Sequence, residues 1–317
     1  MLSISSITAR QPAPGSADRF GDPPGRPAPA DPDGAVAARR RRNEVLFYRL
    51  CALPALAVTL LVAAVPLGLL IVQSVRAQET GDWTLRYYVR SLGNRFFTHT
   101  LLTTIAIALG VTAVSVVLAF PLAFLLARKS RLRTLLMPVV TVPRMLPFVV
   151  VGYAMILLLA PITGVVNRAL LQLGVLHHPL FILFSWPGQA LAFVYSAIVV
   201  AAGILTGVLI AVDPELEDAA VSLGATRLRS FLSVTLPLSI PGVIAASALI
   251  FATVVTAYAI PVMLGGRVPY MISIVIATNL LTLQETHLAF AQAVLVSLLA
   301  VGVTVAAQLV LSRFGRR

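Results

Sequence analysis

The chain has 317 residues, 58% of them hydrophobic and 11% charged, with a formal charge of +12. Soluble domains carry about 25% charged residues, so a water-soluble enzyme is excluded and a lipid-solvated helical protein is implied. The single cysteine, Cys51, excludes an intramolecular disulfide framework and any multi-cysteine metal site, and so argues against redox chemistry. Only Lys129 among the basic residues is a lysine; the arginines group beside apolar stretches rather than among aromatics, which argues against nucleic-acid binding.

In chain order, residues 1–38 are rich in Pro, Ala, Gly and Asp without apolar periodicity, which predicts a disordered tail preceding a membrane domain over 39–317. The run Arg39 to Arg42 leads into an apolar stretch from Phe47 to Val75. That stretch is far longer than the roughly 7 to 15 residues of a signal core, so it reads as a retained first transmembrane helix. Spanning length, about 20 apolar residues, recurs at Thr100 to Ala127, Leu135 to Ala160, Ala190 to Val212, Leu238 to Leu264 and Ala289 to Leu311. Runs this long exceed barrel strands of about 10 residues, and backbone in lipid must satisfy itself within the segment. The fold class is therefore all-α: a polytopic bundle of six transmembrane helices.

Charge orients the bundle. With the N-terminus inside, the inner side collects 13 basic residues (Arg39 to Arg42, Arg128, Lys129, Arg131, Arg133, Arg227, Arg229, Arg313, Arg316, Arg317) and the outer side 6. The positive-inside rule places both termini in the cytoplasm, and with them the loop 213–237.

That loop opens on Asp213-Pro214, a cap followed by the residue best suited to a first helical position. Glu215, Glu217 and Asp218 fall in the first turns, where the helix dipole favours negative charge. Leu216, Ala219, Ala220 and Leu223 share a narrow apolar face, and Gly224 can end the helix in the left-handed conformation. Thr226 can cap a second helix whose Leu228, Phe231, Leu232 and Leu236 share a face, and Pro237 is expected to break it. Pattern alone leaves an ordinary interfacial connector equally open.

The spacing Asp218-Ala219-Ala220, Gly224, Val234-x-Leu236-Pro237 resembles the EAA loop of permease subunits of bacterial ABC importers, with Asp218 in place of Glu and Val234 in place of Ile. His99-Thr100-Leu101 resembles the family's Asn-Thr-Leu. Phe120 to Arg128 and Leu264-Gly265-Gly266-Arg267-Val268-Pro269 look most like the spermidine/putrescine branch. The resemblance implies a type I importer permease of the bacterial inner membrane, half of a translocation path. Its partners would be two cytoplasmic ATPase subunits that bind ATP and Mg, a related non-identical second permease, and an extracytoplasmic solute-binding protein. It further implies that Glu217, Asp218, Ala219, Ala220, Gly224, Leu236 and Pro237 couple to the ATPase. The two carboxylates would meet basic groups of the partner and the alanines would permit close approach.

No phosphate-binding Gly-x-x-x-x-Gly-Lys-Ser/Thr loop, His-Glu-x-x-His site or nucleophile elbow occurs, so no catalytic residue or cofactor is expected in this chain. His177 and His178, beside Pro179 and without nearby Cys or carboxylate, read as surface residues rather than metal ligands. No span contains Asp or Glu, which disfavours the rival class, a proton-coupled secondary carrier or a scaffold without an ATPase. Arg144, between Pro143 and Pro147, either lines a polar path or snorkels to the interface. Thr253, Thr256 and Tyr258 sit on the fifth span, where interhelical hydrogen bonding is the plain expectation. Tyr153 and Tyr258 could hold the cationic groups of a polyamine, although the absence of acids keeps an anionic solute in play.

Overall fold

The computed structural model describes residues 32–128, 130–265 and 271–314. Lys129, the expected tail over 1–31, the Gly266 to Pro269 part of the branch-like motif and Arg316 and Arg317 lie outside them. Thirteen α-helices and one π-turn account for the described secondary structure. They are α1 (Pro32–Ser74), α2 (Arg86–Gly93), α3 (Arg95–Arg128), α4 (Ser130–Met145), α5 (Phe148–Leu159), α6 (Val165–Gln172) and α7 (Trp186–Ala211). After these come α8 (Pro214–Ser222), α9 (Arg227–Ser230), the π-turn (Phe231–Thr235), α10 (Leu236–Val255), α11 (Ala259–Leu264), α12 (Ile272–Leu281) and α13 (Thr286–Phe314). Two compact units divide between Ala64 and Val65. α1 starts at Pro32, inside the stretch expected to be tail. Its Leu53, Leu56, Leu60 and Leu61 are exposed, a surface only lipid or another apolar surface satisfies.

Five helices among the described residues are long and apolar enough to cross a membrane, and a sixth span exists if one bent pair is counted as a unit. The bent pair corrects the third expected segment: Leu135 to Ala160 is not one helix but α4 and α5, turned by 105° at Leu146-Pro147. Pro147 supplies no N–H and pushes the preceding residue out of the α region, and Pro143 lies one turn earlier.

The fifth segment is corrected at both ends. One helical run extends from Arg227 through the π-turn to Val255; the chain then breaks at Thr256 and resumes as α11. Pro261 would press on the carbonyl of Ala257 in a continuous helix. That carbonyl instead accepts the Ser273 hydroxyl at 2.6 Å. The short helices α2, α6 and α12 fall in stretches read from sequence as loops. α12, at 10 residues, is about 15 Å long and too short to span.

The centre of the second unit is α3 packed along α7, joined by alanines. Ala108, Ala119 and Ala123 on one side and Ala192, Ala201 and Ala202 on the other are wholly buried. Small side chains let helix backbones approach, which is how helices associate without a hydrophobic driving force. α10 closes on α7 at Gly242, where an added Cβ would stand 2.7 Å from a Val208 methyl carbon.

Polar groups pin the connections. Asn167, 2% exposed, donates to the carbonyls of Leu159, Ala160 and Leu180 at 3.1 Å each and accepts from the Leu180 N–H at 2.8 Å. One amide thus organises the connection between α5 and α7. Thr104 of α3 caps α12 by accepting the Ile272 N–H at 3.0 Å, and Asn279 of α12 donates to Gln292 of α13 at 2.7 Å.

Candidate functional site

The loop 213–237 folds as its local sequence dictates. The Asp213 carboxylate accepts the Glu215 N–H at 2.9 Å, and Pro214 takes the first position of α8. Gly224 adopts φ +92°, and the helix closes with Gly224 N–H to Val221 O at 2.9 Å and Ala225 N–H to Ala220 O at 3.1 Å. These are the paired bonds of a left-handed C-terminal cap. Thr226 then caps α9 by accepting the Arg229 N–H at 3.3 Å.

Pro237 was expected to break the second helix, and the structure absorbs it differently. The turn Phe231–Thr235 widens to π geometry, with the Leu236 N–H bonding to Phe231 O. A widened turn relieves the clash between the proline ring and the preceding turn, so the helix continues.

No side chain of α8 is buried. Leu216 is 48% and Leu223 is 90% exposed, and Glu215, Asp218 and Ala219 are exposed with them. The shared face expected for the second helix is split: Leu228 and Leu232 are exposed, whereas Phe231 turns inward against Phe120 and Phe124 of α3, ring centroids 5.8 and 5.3 Å away.

Glu217 is bonded within this chain: its Oε1 accepts from Arg128 Nη2 at 2.6 Å and from the Thr235 hydroxyl, while its carbonyl accepts the Ser230 hydroxyl at 3.0 Å. Arg128 Nη1 also donates to Val212 O, at the end of α7, at 3.1 Å. The remaining free carboxylates of α8 are Glu215 and Asp218. From sequence, Arg128 entered the charge count and closed the branch-like stretch Phe120 to Arg128, and neither use pairs it with Glu217. A signal was nevertheless present, because Phe120, Phe124 and Arg128 recur at every fourth position and so share one helix face.

An amphipathic helical hairpin at the end of an apolar bundle is a feature with many possible owners; the comparison with known families decides among them. Residues 115–316 match the family described as the binding-protein-dependent transport system inner membrane component. The chain belongs to this family. It is a multi-pass inner-membrane permease component of the ABC transport class.

Among its relatives, this permease is 29% identical over 204 residues to the spermidine/putrescine transport system permease protein PotB of Escherichia coli, covering 64% of this chain and 74% of that protein. It is 35% identical over 156 residues to the molybdenum transport system permease protein ModB of Haemophilus influenzae, covering 48% and 66%. It also aligns, at 19% identity and a TM-score of 0.65, with a chain from the crystal structure of a bacterial ABC transporter involved in import of the acidic polysaccharide alginate. That alignment covers 88% of this chain and 99% of the other, and it shows a shared fold.

The five path residues named from sequence are all exposed in this permease, and the structure does not gather them into one cavity. Arg144 ends α4, and its Nη1 would stand 3.2 Å from a Cβ added at Gly203, so the guanidinium lies across α7 where that helix has no side chain. Tyr153 stands on α5. The interhelical hydrogen bonds expected for the threonines are not made: Thr253 donates to Leu249 O at 2.7 Å and Thr256 to Ala252 O at 2.8 Å, each within its own helix. Thr256 and Tyr258 flank the break after α10 and line an apolar cavity of about 390 Å³ with Ser273 and Ser297. His177 and His178 are exposed.

Proposed function

We propose that the chain is one half of the translocation path of an ATP-driven importer and that a separate cytoplasmic ATPase docks on α8. The observation that carries this is the state of α8: it is capped at both ends and tied to the bundle through Glu217. It nonetheless presents Glu215, Leu216, Asp218 and Leu223 uncovered. A nine-residue helix with an uncovered apolar edge and two free carboxylates suits a groove with a basic rim. Family membership supports the same reading, as does the charge count that puts this loop and both termini inside. An external binding protein, in keeping with the family description, and a second, related permease chain complete the assembly in this reading.

The solute is a small polar molecule. Likeness to the spermidine/putrescine permeases supports a polyamine, with Tyr153 and Tyr258 as aromatic faces for its ammonium groups. A second reading, an anionic solute, is supported by Arg144 lying over Gly203 while no span contains an acid. Purification of the tagged chain from its own cells tests the docking. An ATPase is expected to accompany the wild type and to be lost from Asp218→Arg/Leu223→Glu. Retention by that double variant, with the chain still folded, contradicts docking on α8. The ligand carried by the cognate binding protein, read by mass spectrometry, decides between polyamine and anion.

A further inference from the structure

The stripe Phe120, Phe124, Arg128 on α3 meets the coupling loop through a layered contact. Phe231 stands edge-on to both phenylalanines, and the Arg128 guanidinium lies 5.8 Å above the Phe124 ring. On this apolar floor sits the Arg128–Glu217 pair, with side chains only 16% and 22% exposed. The other ion pair among the described residues, Arg90–Glu285, is 59% and 36% exposed. Water and salt screen an exposed pair far more than a sheltered one, so the pair under the loop is the one able to bear a directional contact. Thr235, wholly buried, donates to the same carboxylate oxygen, and Ser230, 1% exposed, holds the Glu217 carbonyl.

One guanidinium therefore joins three elements: α3, which carries it, the end of α7 through Val212 O, and α8 through Glu217. The planar fork of arginine can donate to two targets at once in fixed geometry, whereas lysine offers a single flexible point charge. Beneath the pair, Val116, Val117, Pro121, Leu236 and Val243 border an apolar groove of about 620 Å³. Pro121 interrupts the hydrogen-bond ladder of α3 one turn before Phe124. The segment of α3 after Pro121 is thus a short lever with open space beside it and a charged grip at its tip.

We propose that Arg128 and Glu217 form the strut that transmits displacement of α8 to α3 and α7. The inference rests on the docking of an ATPase to α8 and assigns Glu217 inward, to transmission, while Glu215 and Asp218 face the partner. Both residues are positioning residues; neither touches solute or nucleotide.

The test uses the complete complex with the cognate binding protein, carrying whatever ligand it retains on purification. The readout is the ratio of ATP hydrolysis with and without that binding protein. A merely structural defect lowers both rates together, whereas a lost strut lowers the ratio. Arg128→Glu and Glu217→Arg are each expected to reduce the ratio roughly tenfold, within the range of couplings between linked sites. The double swap Arg128→Glu/Glu217→Arg restores at least half of it, and Arg128→Lys gives an intermediate value.

Unchanged ratios in both single variants overturn the strut. So does loss of the ATPase from Glu217→Arg alone, which makes Glu217 a docking residue. If neither single variant assembles, the swap decides: recovery of complex and ratio supports the pair, and failure overturns it. If the wild-type complex itself retains no ATPase, the docking reading falls first and the strut falls with it.

Discussion

Gly224 isolates backbone conformation from side-chain contact. It holds φ +92°, and nothing lies within 4 Å of the position its Cβ would take. A substitution there meets no steric obstacle within this chain, so its penalty is the left-handed backbone, about 1–2 kcal/mol for an ordinary L residue. Leaving that conformation breaks the two cap bonds, Gly224 N–H to Val221 O and Ala225 N–H to Ala220 O, and α8 no longer returns to α9. At about 1.4 kcal/mol per tenfold, Gly224→Ala is expected to depress the correctly turned loop by about fivefold to about thirtyfold. Gly224→Val, β-branched, should depress it further. Asparagine tolerates the left-handed region, so Gly224→Asn should outperform Gly224→Ala despite its larger side chain. Binding-protein-stimulated ATP hydrolysis by the purified complex ranks the variants, and the expected order is Gly, Asn, Ala, Val. If alanine matches glycine while asparagine fails, side-chain volume against a partner governs the site and the backbone argument is wrong.

Three further outcomes follow from the geometry. Gly242→Leu drives a side chain into Val208, whose methyl carbon lies 2.7 Å from the added Cβ. Overpacking of this kind costs about 1–3 kcal/mol, so thermal unfolding in detergent should shift down by several degrees, and an unmoved midpoint contradicts the close α7–α10 contact. Asn167→Ala removes four hydrogen bonds around a side chain 2% exposed. Buried groups left unpaired cost about 1–3 kcal/mol, so proteolysis between residues 160 and 185 should accelerate by about fivefold or more without loss of the bundle. Pro237→Ala restores a backbone donor and lets the π-turn close to α geometry, rotating the preceding helix by about 100°. Phe231 then leaves Phe120 and Phe124, so thermal stability should hold or rise while stimulation of the ATPase falls; full stimulation argues that the π-turn is incidental.

Local chemistry in the loop 213–237 was legible from sequence. Asp213, Gly224 and Thr226 do what their side chains allow over two or three residues, and the helix ends follow. The length of the apolar runs likewise gave five spans and marked the sixth. What escaped depends on distant partners. Glu217 and Arg128 are 89 positions apart, and nothing in either local sequence says that the carboxylate turns inward. The prolines were visible, but their effect was not. Pro147 turns its segment by 105°, whereas Pro237 is accommodated by one widened turn, because the surroundings decide whether a helix bends or repacks. Thr253 and Thr256 show the same limit: a threonine hydroxyl can bond its own helix or a neighbour, and here it chooses its own. α12 was missed because its 10 residues fall below spanning length, while its start is fixed by Thr104, 168 positions earlier.

In the proposed function this permease moves solute only when a separate ATPase acts on the loop 213–237. Reconstitution into vesicles tests it most directly, with loaded binding protein outside, and ATP inside with or without the ATPase chain. Accumulation that requires ATP and the ATPase, and that disappears with Asp218→Arg/Leu223→Glu, is the predicted result. Solute flux through this chain without the ATPase, driven by an ion gradient, would contradict it.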